Sequence, residues 1–415
     1  MRKFSLVACL AITVSGCSGT GPTPGASSTI TPTPSASPTE WQPSSTASKT
    51  STPSATAPAP ASPSAQPEPD VTVGEWRRVE DPTFEQAQMF YPMTWSGAQF
   101  ILPGVTKEGD GVAFWTSTDG ETWSMGADRT WGYVSDYAFD GTGAGVAVGW
   151  LQDHADVWLS ADGVKWTKLA DQEAFLPEPD AISVRLVSVA HGEVGYVALG
   201  LVNWRAGVNR PEVTIMGSDD GRTWSLRPAE TFAGAELAGI EGLQGNYVIA
   251  GTADMYTSTP QAAIWASADG RIWSETTMSG PYANVMASGP AGVLVGGSLP
   301  GSASANPGDA GRHWWTADGQ EWIAIEGVVL TRPLMYALPF GFLAVAFGTC
   351  PSSLMAFEGG GPWACVAASG PLPGGYGTAS GQPAAYLDSI AVSGTAIVAS
   401  VRRDGIPEVW VAGLN

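Results

Sequence analysis

Ser117-Thr118-Asp119-Gly120-Glu121-Thr122-Trp123 decides the fold, because four more stretches like it follow and all align without gaps. They are Ser160-Ala161-Asp162-Gly163-Val164-Lys165-Trp166, Ser218-Asp219-Asp220-Gly221-Arg222-Thr223-Trp224, Ser267-Ala268-Asp269-Gly270-Arg271-Ile272-Trp273 and Thr316-Ala317-Asp318-Gly319-Gln320-Glu321-Trp322. The shared pattern, Ser/Thr-x-Asp-Gly-x-x-Trp, returns every 43 to 58 residues. A fixed period of that size marks a chain built from like supersecondary units. Each copy follows a short apolar run, such as Ala113-Phe114-Trp115, Val157-Trp158-Leu159 or Ala263-Ile264-Trp265, and a second run starts at its tryptophan. Asp-Gly between two such runs signals a hairpin, since glycine accepts φ > 0 and the aspartate caps the turn. A second hairpin bent at glycine lies upstream, as in Gly143 to Trp150, Gly195 to Leu201, Gly245 to Gly251 and Ala291 to Gly297. Four short strands per repeat of roughly 40–50 residues make a β-propeller blade, so the expected fold class is all-β.

Two irregular blades complete the count. Leu334 to Phe347 supplies two strands and Leu354 to Phe357 a third, but the turn before Trp363 reads Glu358-Gly359-Gly360-Gly361 and lacks the aspartate. The final segment offers Leu387 to Val392, Ala396 to Val401 and Pro407 to Ala412, with no tryptophan strand after them. That missing fourth strand is found at the other end of the domain, as Gly74-Glu75-Trp76-Arg77-Arg78-Val79. Pairing it with the C-terminal strands closes the ring and removes the open edges. Tryptophans 76, 123, 166, 224, 273, 322 and 363 then count seven blades of four antiparallel strands, with six or eight the alternatives.

The five boxes resemble the Asp-box, or bacterial neuraminidase repeat, of sialidases, other glycoside hydrolases, sortilin-type receptor domains and photosystem assembly factors. The resemblance covers Val71 to Asn415 and has one departure: the usual box has an extra residue between aspartate and tryptophan. It implies that the box lies on the turn between third and fourth strands, remote from the central funnel. Asp119, Asp162, Asp220, Asp269 and Asp318 are therefore expected to form turns; the competing roles are catalysis and calcium binding. A box of this kind identifies a fold and not a reaction.

The N-terminus reads as an address. Met1-Arg2-Lys3, the apolar run Phe4 to Val14, and Ser15-Gly16 are the parts of an export signal, and the run is too short to cross a bilayer as a helix. Val14-Ser15-Gly16-Cys17 resembles the bacterial lipoprotein box, which implies removal of residues 1–16 and a lipid on Cys17. An ordinary secretory signal with an incidental cysteine is the alternative. Residues 17–70 are rich in Pro, Ser, Thr and Ala, which cannot bury enough apolar surface to fold. The expected domains are thus signal 1–16, lipidated linker 17–70 and propeller 71–415, held at the cell membrane on its extracytoplasmic side. In that compartment disulfides persist, and Cys350 and Cys365 form an even pair that either bridges or stays as two buried thiols.

Charge and composition narrow the partners. Only 14% of residues are charged and the net charge is −20. That sign argues against nucleic acid and anionic headgroups, whose phosphates it would not neutralise. The expected membrane contact is the lipid anchor alone, and the chain is expected to be a monomer. Three histidines in separate segments offer no metal cluster, and no phosphate-binding or dinucleotide fingerprint is present, so no metal or cofactor is expected.

A sialidase-type site needs an arginine trio and a tyrosine–glutamate nucleophile, and the family's Phe/Tyr-Arg-Ile-Pro motif is absent. A glycosidase needs two carboxylates about 5–10 Å apart. Asp136, Asp140, Asp180, Glu236, Glu241 and Asp388 fall at first-strand or interblade positions, but spacing pairs no two of them. Trp95, Trp131, Trp150 and Trp204 are assigned to connecting segments, where Trp131, Trp150 and Trp204 could contact a ligand or merely cover blade edges. The reading is a non-catalytic module that binds an envelope protein or a glycan; the alternative is a glycoside hydrolase with carboxylates in the funnel.

Overall fold

The computed structural model describes residues 71–109, 111–205, 212–280, 282–297, 312–325, 334–345, 350–374 and 385–415. They form seven four-stranded antiparallel blades. Blade 2 shows the common plan: Tyr133–Phe139, Gly145–Leu151, His154–Ser160 and Trp166–Lys168, innermost to outermost. Blade 1 starts at Ala87–Phe90 and carries one extra short strand, Thr94–Trp95. Blades 3, 4, 5 and 6 start at Ala181–Gly192, Glu236–Leu243, Val285–Gly289 and Leu334–Leu338.

Blade 7 takes three strands from the C-terminus, Ala385–Val392, Ala396–Arg403 and Ile406–Gly413, and its fourth, Arg77–Arg78, from the start of the domain. The pairing of this segment with the C-terminal strands is as the sequence predicts, and its register sets Arg77 opposite Val411 and Arg78 opposite Trp410. The chain is tied again upstream, where Thr72 exchanges backbone hydrogen bonds with Asn415 and Thr72–Val73 pairs in parallel with Ala367–Ala368 of blade 6.

The core is divided among the blade interfaces. One apolar cluster fills each of the seven contacts, including that between blades 7 and 1, where Val398 and Val411 meet Phe100 and Trp123. Alternating strands pressed between neighbours on both faces need apolar residues at nearly every position, as in Gly145-Val-Ala-Val-Gly149 and Asn246-Tyr-Val-Ile-Ala250. Four third-strand tryptophans, Trp115, Trp158, Trp265 and Trp314, are fully buried there.

Pairing register defines two faces. Phe139 pairs with Gly145, and Gly145 with Ser160, so first–second turns and box turns share one end of the blade. Tyr133 pairs with Trp150 at the other end, where blade-to-blade connections run. We call these the box-turn face and the connection face.

Candidate functional site

Each box aspartate caps its own turn. Asp119 Oδ1 accepts from the backbone N–H of Glu121 and Thr122, both at 2.8 Å, and Asp220 Oδ1 from Arg222 and Thr223 at 2.7 and 2.9 Å. Asp162, Asp269 and Asp318 repeat the arrangement. Bonds from backbone N–H groups hold all five carboxyls below the usual range, because they favour the charged form. In three boxes the tryptophan indole donates back to the box glycine carbonyl (Trp123, Trp166, Trp224). The glycines are doubly required. Gly120 and Gly270 have φ of 78° and 63°, and a Cβ there would lie 2.6 Å from Val398 and 2.4 Å from Val197 of the preceding blade.

Cys350 and Cys365 form a disulfide. Cys350 precedes the third strand of blade 6 and Cys365 ends its fourth, so the bridge restrains the blade that lacks a box aspartate. It does so from the connection-face end of that hairpin, away from the Glu358–Gly361 turn. Cys17 lies outside the described residues.

The aromatic side chains need one correction. Trp150 and Trp204 are not in connecting segments: they belong to second strands, Gly145–Leu151 and Gly195–Trp204, and Trp95 to a short strand of its own. Those strands run past the apolar core to the connection face. There Tyr133 stacks on Trp150 with centroids 4.1 Å apart, Tyr91 backs Tyr133 at 4.5 Å, and the Arg185 guanidinium lies 5.3 Å over Trp150. Trp131, two residues before Tyr133, is 58% exposed. Trp204 is half-buried opposite Ala181. At this same end of blade 7, Arg402 pairs with Asp388 at 2.7 Å.

The channel brings together two of the six carboxylates that the sequence nominates. A cavity of about 560 Å³ is lined by the first strands of blades 2, 4, 5, 6 and 7 and the Thr94–Gly97 segment of blade 1. First–second turn residues such as Gly289, Pro339 and Gly394 line it, so it opens toward the box-turn face. Asp136 and Glu241 lie in its wall. Asp136 Oδ2 accepts from Ser188 Oγ at 2.7 Å and the Val189 N–H at 2.9 Å; Glu241 Oε2 accepts from Ser288 Oγ at 2.6 Å. Both residues are half-buried by surface area, yet the ring of strands surrounds them. That enclosure pushes Asp136 up to about 6 despite its donors. Glu241 goes up to about 8, from the same enclosure and then the charge of Asp136. Residue spacing carries no signal for this pair, because their approach depends on how the blades close into a ring.

The other four candidates stand apart. Asp140 caps the Thr142 turn, Asp180 precedes blade 3, Glu236 is exposed, and Asp388 is taken by Arg402. His154, Asp156 and Asp171 approach one another, but Lys168 Nζ already supplies a cation 2.7 Å from Asp156 Oδ1.

No protein-family model matches the chain, and no curated protein matches it. Solved structures do. The phage phi92 endosialidase is 12% identical over 82% of this chain and 68% of its own, with a TM-score of 0.40. The β-propeller domain of the Trilobed protease from Pyrococcus furiosus is 9% identical over 79% and 94%, at 0.46. Trypanosoma rangeli sialidase is 11% identical over 82% of this chain and 57% of its own, at 0.41.

Proposed function

We propose that the protein is a lipid-anchored, extracytoplasmic binding module that takes its ligand on the connection face without chemistry. The observation that carries this reading is the aromatic cluster in which Tyr133 stacks on Trp150, the buried Tyr91 packs tilted against Tyr133, Arg185 lies over Trp150 and the exposed Trp131 stands two residues before Tyr133. An exposed indole such as Trp131 beside a rigid aromatic cluster suits the apolar face of a sugar ring, and a guanidinium in that cluster supplies donors to hydroxyl or carboxylate oxygens. A glycan is therefore the first ligand class, and an envelope protein the second. The monomeric state belongs to the same proposal.

A second reading, a glycoside hydrolase, is favoured by one observation. Asp136 and Glu241 share a cavity and have been pushed to different acidities, as an acid and a base require. Both carboxylates also hold neighbouring strands together, which weighs against a catalytic role.

The test is retention of the full-length chain on a broad glycan panel, scored also for released product. Retention without product, weakened at least tenfold by Trp150→Ala and unchanged by Asp220→Ala, supports the binding module. Released product that Asp136→Asn or Glu241→Gln abolishes would replace it with the hydrolase. Neither retention nor product would remove the glycan and leave the protein ligand.

A further inference from the structure

The channel cavity has a chemistry distinct from the connection face, and it rests on neither reading above. Its apolar lining includes Met93, Met286 and Met335, flexible side chains that adapt to irregular shapes. Among the described residues no lysine, arginine or histidine lines it, so Asp136 and Glu241 are its only charged groups. The remaining titratable groups in its wall are Tyr137 and Tyr336, and burial raises Tyr137 far above the ordinary phenol range. Each carboxylate directs one oxygen into an interblade hydrogen bond, from Ser188 and Ser288. Beyond these bonds, only the backbone N–H groups of Val189 and Tyr137 favour the charge on Asp136, and no cation among the described residues offsets either carboxylate. At about 560 Å³ the space suits a small organic molecule and exceeds what a single ion needs.

We infer that this cavity is a binding site for a small organic cation, an ammonium group on an apolar body, with Asp136 and Glu241 receiving the charge and the methionines the body. A cation entering there offsets the repulsion between the two carboxylates, while an anion or a neutral polar ligand would leave them uncompensated. Both groups hold protons more tightly than ordinary carboxyls, because the ring encloses them. Cation binding therefore competes with protons and strengthens as pH rises from 5 toward 8.

The probe is 2-phenylethylamine, titrated calorimetrically into the full-length chain, with 2-phenylethanol as its uncharged counterpart. The expected result is saturable amine binding, at least tenfold tighter than the alcohol and at least tenfold tighter at pH 8 than at pH 5. Proton release should appear as a dependence of the heat on buffer ionisation enthalpy. Asp136→Asn keeps a carbonyl oxygen to accept from Val189 N–H and Glu241→Gln keeps one for Ser288; each should weaken the amine at least tenfold. Should either variant fold poorly, Met286→Trp fills the cavity with both carboxylates intact and should abolish binding. Equal affinity for amine and alcohol, or no saturation by 10 mM amine, overturns the proposal.

Discussion

A box aspartate such as Asp220 is committed to its own turn, because Oδ1 accepts from two backbone N–H groups and from Ser218 Oγ. Substituting Asp220→Ala leaves those donors to water at an exposed turn, which should cost on the order of 1 kcal/mol. Urea denaturation reads this directly, and no change would show that glycine alone shapes the turn. The lowered pKa fixes the sign of the pH effect: box stability is present above the ordinary carboxylate range and is lost as pH falls through the lowered values. His313 works in a different window. It is 1% exposed with neither ring nitrogen hydrogen-bonded to a described residue, and burial lowers it to about 4. Below the ordinary value near 6.5 the unfolded chain takes the proton first, so stability falls as pH drops, by up to about 3 kcal/mol at pH 4. Asp136 and Glu241 act oppositely, stabilising as pH falls from 8. Comparing wild type with His313→Leu between pH 7 and pH 5 isolates the histidine, and parallel curves would refute the assignment.

Among elements, the hairpins are legible in the sequence because their causes are local. Asp-Gly at a φ > 0 position fixes a turn within seven residues, wherever the ring later places it. Strand ends are less legible. Gly195–Trp204 runs ten residues, and its last four are half-buried, so composition marks only the inner part as strand. Reading by composition therefore puts Trp150 and Trp204 in connections, where the structure has strand. Asp136 and Glu241 stand in the sequence as separate candidates, because nothing in their spacing reports that blades 2 and 4 face one channel. Blade 6 shows how an element tolerates a lost box: Gly359 and Gly360 take φ of 69° and 75°, and the disulfide holds the hairpin's other end. Joining residues 15 apart restricts the unfolded chain by about 3 kcal/mol in the loop-entropy account. The double variant Cys350→Ser, Cys365→Ser should lose about that much, while a reducing agent should change the wild type equally and the variant not at all. A variant as stable as the wild type would mean the blade is held by packing alone.

At the scale of the whole molecule, stability is a property of closure. Each blade buries its faces only against two neighbours, so opening the ring at one seam exposes the two apolar faces packed there, and release of the N-terminal strand leaves the third strand of blade 7 as an unpaired edge. The closure here depends on a short segment: Arg77–Arg78 adds two ladder pairs, Val79 N–H reaches Val409 O, and Thr72 and Gly74 bond to Asn415 and Gly413. Trp76 anchors it, only 8% exposed and clustered with Ile397, Ala412 and Leu414, in the position that box tryptophans hold in blades 1 to 5. Arg77 also reaches forward to pair with Glu121 in the blade 1 turn, an exposed contact of small energetic value. Trp76→Ala therefore removes the apolar anchor of the closing strand, a loss of about 3–5 kcal/mol for a buried tryptophan. The informative readout is where the loss appears. Hydrogen exchange should accelerate first in Ala396–Arg403 and Ile406–Gly413 of blade 7 and in Gly341–Val345 of blade 6, the two sides of the interface that Trp76 fills, while blades 3 and 4 keep their protection at first. Uniform acceleration around the ring would instead make the propeller one cooperative unit in which the seam has no special status, and unchanged exchange would mean that backbone pairing closes the ring without its tryptophan.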